Sequence, residues 1–235
     1  MSDKVELRLD WCSYEAAKFA VEHWHYSQTM PSSSVKIGAW EDGQFIGAVC
    51  FGIGAGNITR GEKYGLAKTN DIAELMRVAL KEHKTPTSKI ITIACKMVKK
   101  QSPNLRMLIS FADELGQGHH GGIYQAAGWV YAGAFEGDGG FIINGQHWHS
   151  RSVGSRGWQQ SVKWLRENVD PNCTKAATKK HRYLFPLDDA MRKQIEPLRK
   201  PYPKRERGEI DNAPQSNAET EGASPIRSLL QEVTE

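Results

Sequence analysis

The chain has no C-x-x-C pair: Cys12, Cys50, Cys95 and Cys173 are scattered singly over its 235 residues. That spacing argues against a zinc site or a disulfide framework and suits a reducing compartment. No apolar run reaches the ~18 residues a spanning helix needs, and no signal-peptide apolar core opens the chain. The expectation is a cytoplasmic protein with no membrane partner. Nucleotide signatures are missing too. The glycines of Gly52-Ile53-Gly54-Ala55-Gly56-Asn57 follow neither dinucleotide nor P-loop spacing, and no Gly-Lys-Ser/Thr occurs. They read as a flexible loop flanking a site. Net charge is small as well. With 31 basic and 27 acidic residues the balance is +4, so any basic character must be local.

What is present is one sizeable domain with appendages, apolar enough at 39% to build its own core. Val5–Leu9 alternates as a half-buried strand, and Ser13 is placed to cap a following helix. Val35–Trp40 and Phe45–Phe51 are strand-like runs joined by Glu41-Asp42-Gly43-Gln44, and Asp-Gly between strands signals a hairpin. Ile72–Leu80 reads as a further strand. Thr85-Pro86-Thr87-Ser88 then opens a helix to about Lys100 with Ile90, Ile91, Ile93, Ala94, Met97 and Val98 inward. Leu105–Phe111 is a buried strand, Gly122–Ala127 a short helical segment and Trp129–Tyr131 a strand. Phe141–Trp148 contains a strand near a tight turn, and Trp158–Glu167 a helix. This alternation after an antiparallel start predicts an α/β fold, a mixed sheet with helices on its faces.

Two clusters carry chemistry. One is residues 105–133, where Asp113 ends a strand, His119 and His120 sit in a glycine-rich turn, and Tyr124 starts a helix. Crevices at the carboxyl ends of strands are where α/β folds place ligands. A plain surface loop would have the same composition. The other is His23-Trp24-His25-Tyr26-Ser27, where imidazole, indole and phenol crowd a helix exit; histidines capping a helix C-terminus are the bland alternative. An ionised Asp113 held away from water needs a cation, either a metal or protonated His25.

From Lys175 to Arg207, eleven Lys or Arg face four Asp or Glu, with Tyr183, Phe185 and Tyr202 interleaved. Cations neutralise phosphates and rings stack on exposed bases, so Lys179, Lys180, Arg182 and Tyr183 are the candidate DNA contacts. A solvated helix face with a basic linker would look similar. The division expected is 1–174 as the catalytic domain, 175–207 as a basic aromatic extension and 208–235 as a disordered tail. Within that tail Ile226, Leu229, Leu230 and Val233 keep helical spacing.

Strand, helix, hairpin, strand, helix, strand, helix, strand resembles the GNAT acetyltransferase fold, with a mostly antiparallel central sheet. Ile123–Trp129 is similar to its Tyr-x-x-x-Gly-aromatic segment, whose tyrosine often protonates a departing coenzyme A thiolate. A closer resemblance is to the Mom family of bacteriophage DNA-modification enzymes. It is carried by His25–Ser27, Gly38–Gly47, Glu74–Leu80, Ser110–Asp113, Gly118–Ala126 and Lys180–Tyr183. The resemblance implies conversion of adenine in duplex DNA to an N6-(methylcarbamoyl)-type adenine, which shields phage DNA from host restriction. It implies functional roles at His25, Tyr26, Asp113 and Tyr124, with Arg77 and Ser110 as cofactor-binding candidates.

Double-stranded DNA is then the partner, in the bacterial cytoplasm, with a phage or prophage as the source; oligomeric state stays open, a homodimer being one option. Acetyl-CoA or a related acyl donor is the implied co-substrate. Yet Lys81–Lys89, where a GNAT carries a glycine loop for pyrophosphate, has no glycine; its basic residues and the helix N-terminus remain for phosphates. The family's product joins nitrogen to a methylene beside an amide, and the family is associated with iron. An imidazole and a carboxylate suit non-haem iron. His25 and Asp113 are the expected pair, with His119 or His120 as a third ligand. The competing functions are an ordinary GNAT N-acetyltransferase acting on a protein or small amine, and a non-catalytic DNA-binding protein.

Overall fold

The computed structural model describes residues 5–54, 61–66, 71–114 and 120–203. Eight strands form one sheet in the order β1-β2-β3-β4-β5-β8-β6-β7. They are β1 (Leu7–Trp11), β2 (Val35–Glu41), β3 (Gln44–Gly52), β4 (Ile72–Leu80), β5 (Met107–Asp113), β6 (Val130–Ile143), β7 (Gln146–Trp148) and β8 (Thr174–Pro186). Six α-helices accompany them among the described residues: α1 (Tyr14–Trp24), α2 (Thr87–Gln101), α3 (Gly122–Ala126), α4 (Ser150–Ser155), α5 (Val162–Asn168) and α6 (Asp189–Ile195). None is long and apolar enough to cross a membrane.

Local chemistry sets these boundaries. Ser13 caps α1 by accepting from Ala16 N–H at 3.1 Å. The β2–β3 turn has Asp42 at φ 49° and Gly43 at φ 77°, the left-handed pair that matches a two-residue hairpin to strand twist. In α2, Ile90, Ile91, Ala94, Cys95 and Val98 are buried on one side. Each large apolar side chain there contributes about 1.5–3 kcal/mol on leaving water.

The sheet is covered on both faces. α2 and Tyr124 of α3 pack on Ile37, Val49, Phe51, Leu75 and Leu108. On the opposite face α1 packs on Ala48, Cys50 and Ala79, while α6 packs on Met107, Ile109 and Leu184. A satellite core of Phe141, Ile143, Val153, Leu165 and Cys173 ties α4 and α5 to the end of β6.

β4 and β5 are the parallel pair, and their pairing covers only Ile72–Glu74 against Met107–Ile109. Beyond Glu74 and Ile109 the two strands part. This opening at their carboxyl ends is where the candidate site lies.

Two expectations are corrected. Within the expected extension, residues 175–203 are not an appendage. β8 is an interior strand, paired with β5 on one side and β6 on the other. The following 3₁₀ turn, Glu196–Leu198, and its sequel are also fastened: Lys200 N–H bonds Tyr131 O at 2.8 Å and Tyr202 Oη donates to Trp129 O at 2.6 Å. The catalytic fold therefore runs to at least Pro203. The second correction is to the strand at Trp129–Tyr131. β6 runs through its glycines to Ile143 and turns back into β7 at Asn144 and Gly145, both with positive φ. Gly139 and Gly140 sit where the backbones of Ala176 and Trp148 approach too closely for any Cβ. The tail from 208, with its helical spacing at Ile226–Val233, lies outside the described residues, as do part of the Gly52–Asn57 loop and His119.

Candidate functional site

Side chains from four segments meet at the β4–β5 opening. Ser110, on β5, reaches across it: its Oγ donates to Leu75 O of β4 at 2.9 Å and lies 2.8 Å from Tyr124 Oη. A carbonyl can only accept, so the single Ser110 proton goes to Leu75 and Tyr124 donates to Ser110. Tyr124 is buried at 8% exposure and packs on Trp129 and Tyr183, with ring centroids 5.3 and 5.1 Å away. Burial pushes its phenol up to about 12, against the Ser110 hydrogen bond, so it keeps its proton at neutral pH.

Asp113 ends β5 three residues on from Ser110 and so projects from the other face. Its carboxylate accepts from the Thr178 hydroxyl, and Lys180 Nζ lies 3.6 Å away. Lys180 supplies the cation the carboxylate needs. Protonated His25 does not. Burial and the positive charge of Arg77 push the His25 imidazole down to about 3, so it is neutral at physiological pH.

Its tautomer follows from its neighbours. Ser27 N–H donates to His25 Nδ1 at 3.1 Å, which leaves the ring proton on Nε2. His25 therefore presents a donor, not a free lone pair, and does not serve as a base. His25 is also the C-cap of α1, and Trp24 packs on Phe19 and Phe45, so the capping reading of this cluster holds beside the site reading.

Tyr26 links the two faces. Its ring stacks on His25 with centroids 4.3 Å apart, and the residue is 54% exposed. Burial raises its pKa, the charge of Arg77 lowers it and that of Asp113 raises it again. Tyr124 in turn feels Tyr26 and Glu74. Tyr26 is thus close enough to Arg77, Asp113 and Tyr124 to feel their charges, and Ser110 and Tyr124 are hydrogen-bonded at the opening. Glu74 was not anticipated; it lies inside the Glu74–Leu80 run, where strand alternation gave no reason to single out its carboxylate.

The implied cofactors meet occupied groups where the sequence placed them. The backbone N–H groups of Lys84 and Thr85, before α2, are held by Glu41 Oε2 and Oε1 at 2.9 and 2.6 Å. Burial acts to raise the Glu41 pKa, but the Thr85 hydroxyl and these two N–H groups outweigh it and hold it below the usual range. An internal carboxylate occupies these two donors, so they are not offered to a pyrophosphate. Iron at His25 and Asp113 fares no better. His25 Nδ1 is taken by Ser27 and Asp113 by Thr178 and Lys180. The three-donor group among the described residues is Glu114, His120 and His181, with ligand atoms within 4.8 Å of one another. Of the expected metal ligands only His120 belongs to it. Glu114 and His181 were missed, although His181 stands in the Lys180–Tyr183 motif.

The expected DNA contacts on β8 are mostly engaged inside the fold. Tyr183 is fully buried, with its hydroxyl on His120 O, and cannot stack on a base. Arg182 lies 4.8 Å over the Phe135 ring and Lys180 faces Asp113. Lys179 is exposed, 3.7 Å from Glu114. A central strand tolerates these charges because β5 and β6 supply partners, Lys175 with Asp138 at 2.7 Å included. A denser basic surface lies on the α6 face, where Lys63, Tyr64, Arg182, Arg199 and Lys200 line a cleft of about 320 Å³.

Element order and the parted β4–β5 pair match the GNAT-like fold expected from the sequence. The chain belongs to the Mom protein family, whose profile matches residues 6–204. No curated protein sequence matches it. Solved structures similar to it include an N-acetyltransferase from Staphylococcus aureus Mu50, at 10% identity and TM-score 0.46, covering 78% of this chain and 99% of that one. A protein of Acinetobacter baylyi ADP1 proposed to be an acetyltransferase is 11% identical at TM-score 0.45, with 86% and 100% covered.

Proposed function

We propose that this chain modifies DNA by joining a methylcarbamoyl-type group to N6 of adenine in duplex DNA, protecting phage DNA from restriction. Family membership supports modification of phage DNA. The observation that supports the site assignment is the Ser110–Tyr124 hydrogen bond at the β4–β5 opening, with Tyr26 close enough to feel the charges of Arg77, Asp113 and Tyr124.

The exocyclic amine of adenine is a weak nucleophile, because its lone pair is delocalised into the ring. It must be held in place and lose a proton as the new bond forms. An adenine inside the duplex cannot reach an opening between strands, so the base is flipped out. Tyr26, half exposed and braced from behind by His25, offers the ring on which the flipped base stacks. Asp113, held in place by Thr178 and Lys180, takes the N6 proton. Neutral His25 donates Nε2–H to the bound base and orients it.

The transferred group must come from a donor that carries a leaving group on the methylene beside its amide. As N6 bonds that carbon the carbon–leaving-group bond breaks, and on the other side Tyr124 gives its proton to the departing group. Ser110 then turns its hydroxyl from Leu75 O to the new phenolate, which is the bond that lowers the Tyr124 pKa. Acid and base each contribute about 10²–10⁴-fold. The phosphate backbone is gripped at the cleft of Lys63, Arg182, Arg199 and Lys200 and by exposed Lys179, while buried Tyr183 takes no part.

The test is to express the chain in bacteria, digest their DNA to nucleosides and compare them by mass spectrometry with a vector control. A new adenine nucleoside carrying an amide-containing adduct is the expected result. Unmodified adenine together with newly acetylated protein or small amines would replace this reading with ordinary N-acetyl transfer. Unmodified adenine with tight DNA binding would leave a non-catalytic DNA-binding protein.

A further inference from the structure

Glu114, His120 and His181 come from the end of β5, the turn before α3 and the middle of β8, and their ligand atoms lie within 4.8 Å of one another. Glu114 Oε1 is 2.5 Å from His181 Nε2 and 3.4 Å from His120 Nδ1. Metal–ligand bonds of about 2.0–2.2 Å place neighbouring donors roughly 3 Å apart. The group therefore needs to open by only about half an ångström at its shortest contact to admit an ion.

The surroundings are those of a ligand set. His181 is 1% exposed, and its Nδ1 lies 2.8 Å from the Tyr131 hydroxyl. That partner orients the imidazole so that Nε2 faces Glu114, as the outer partner of a ligating histidine does. His120 is held by its backbone: its carbonyl accepts from the Tyr183 hydroxyl and from Gln125 Nε2 at 3.3 Å. Glu114 and His120 side chains are 30% and 24% exposed, so the free coordination positions open toward solvent. The neighbouring cation, Lys179 Nζ at 3.7 Å, belongs to a side chain 58% exposed that can swing into water when an ion enters.

We propose that Glu114, His120 and His181 bind a divalent first-row transition metal through two imidazoles and one carboxylate. This donor set suits Fe(II) with open facial positions, or Zn(II), and not Mg(II), which takes oxygen ligands. The site is separate from the proton-transfer pair Asp113 and Tyr124, and its existence does not depend on the adenine reading.

The experiment uses the full chain. It is dialysed against Fe(II) without oxygen, Zn(II) or Mg(II), and bound metal is counted by mass spectrometry of the elements. One equivalent of Fe(II) or Zn(II) and none of Mg(II) is expected, and the two arms tell which ion is preferred. Co(II) is added as a spectroscopic stand-in. Glu114→Gln and His120→Asn, both at the rim, should weaken binding at least 100-fold and shift the Co(II) absorption bands. Tyr131→Phe, which removes only the outer partner of His181, should weaken it by about 10–100-fold. His25→Ala should bind as the unaltered chain does. Circular dichroism confirms that each variant is folded. A folded chain that takes up no Fe(II) or Zn(II) would overturn the proposal. So would binding that survives Glu114→Gln and His120→Asn but is lost in His25→Ala.

Discussion

Tyr124→Phe separates chemistry from structure more cleanly than any other change at the opening. The substitution removes one hydroxyl and keeps the ring that packs on Trp129 and Tyr183. Ser110 keeps its partner, because its proton already serves Leu75 O. Only the 2.8 Å bond between Tyr124 and Ser110 is lost, at about 1 kcal/mol. For a domain of this size that lowers the melting temperature by about 2–4 °C.

If Tyr124 protonates the leaving group, its removal raises the barrier by roughly 3–5.5 kcal/mol, or 10²–10⁴-fold in rate. The two effects differ enough to be told apart. Adduct per adenine is followed over time after induction by nucleoside mass spectrometry, with soluble protein level and melting temperature measured alongside. A folded Phe variant that modifies DNA at half the normal rate or faster would refute the role of the acid. A fall in melting temperature of ~10 °C or more would show the hydroxyl to be structural.

Other consequences follow from named contacts. Asp188 joins Arg106 at 2.9 Å through both oxygens and also caps α6 at Met191 N–H. The pair is about a third exposed, so after screening Asp188→Ala should cost about 2 kcal/mol in urea unfolding, half of it from the cap. The Arg106 hydrogen bond holds the Asp188 pKa down at about 2 from 3.8, so the pair's contribution is complete above pH 3.8 and lost as pH falls toward 2. An acid-unfolding curve that Asp188→Asn leaves unmoved would contradict this. Glu41→Gln should lose about 1.5–3 kcal/mol of stability and gain no affinity for coenzyme A by calorimetry. Micromolar binding to the unaltered chain would show that Glu41 does not close the junction. Replacing Lys63 and Lys200 with Ala should weaken binding to all DNA sequences and flatten its salt slope by about 0.9 per lost phosphate contact. An unchanged slope would move the backbone contact elsewhere.

The elements read most directly from the sequence are those in which one local signal acts alone. The Asp42-Gly43 turn, the Ser13 cap and the inward stripe of α2 need no tertiary information. β8 was hidden because its signal is overridden from outside. Lys175, Lys180 and Arg182 resemble a solvated basic run until Asp138, Asp113 and Phe135 on neighbouring strands are brought opposite them. The glycines of β6 carry no strand signal for a similar reason, since the backbones that crowd Gly139 and Gly140 are distant in sequence.

At the site, residue type marked His25, Tyr26, Asp113 and Tyr124 as candidates, but their protonation states depended on neighbours. Nothing in the motif His25-Tyr26-Ser27 says that Ser27 turns the imidazole into a donor. Nor does Gly38–Gly47 say that its Glu41 fills the backbone donors before α2. The group of Glu114 and His181 was illegible because 67 positions separate them.

The central claim is that a flipped adenine enters the β4–β5 opening and stacks on Tyr26. Photocrosslinking tests it most directly, using a duplex in which one target adenine is replaced by 8-azidoadenine and mapping the labelled peptide by mass spectrometry. The account predicts labelling at His25–Ser27 that is abolished by Tyr26→Ala, while overall DNA affinity stays within a few-fold. Labelling confined to the α6 face around Lys63 and Lys200, with none at residues 25–27, would contradict it.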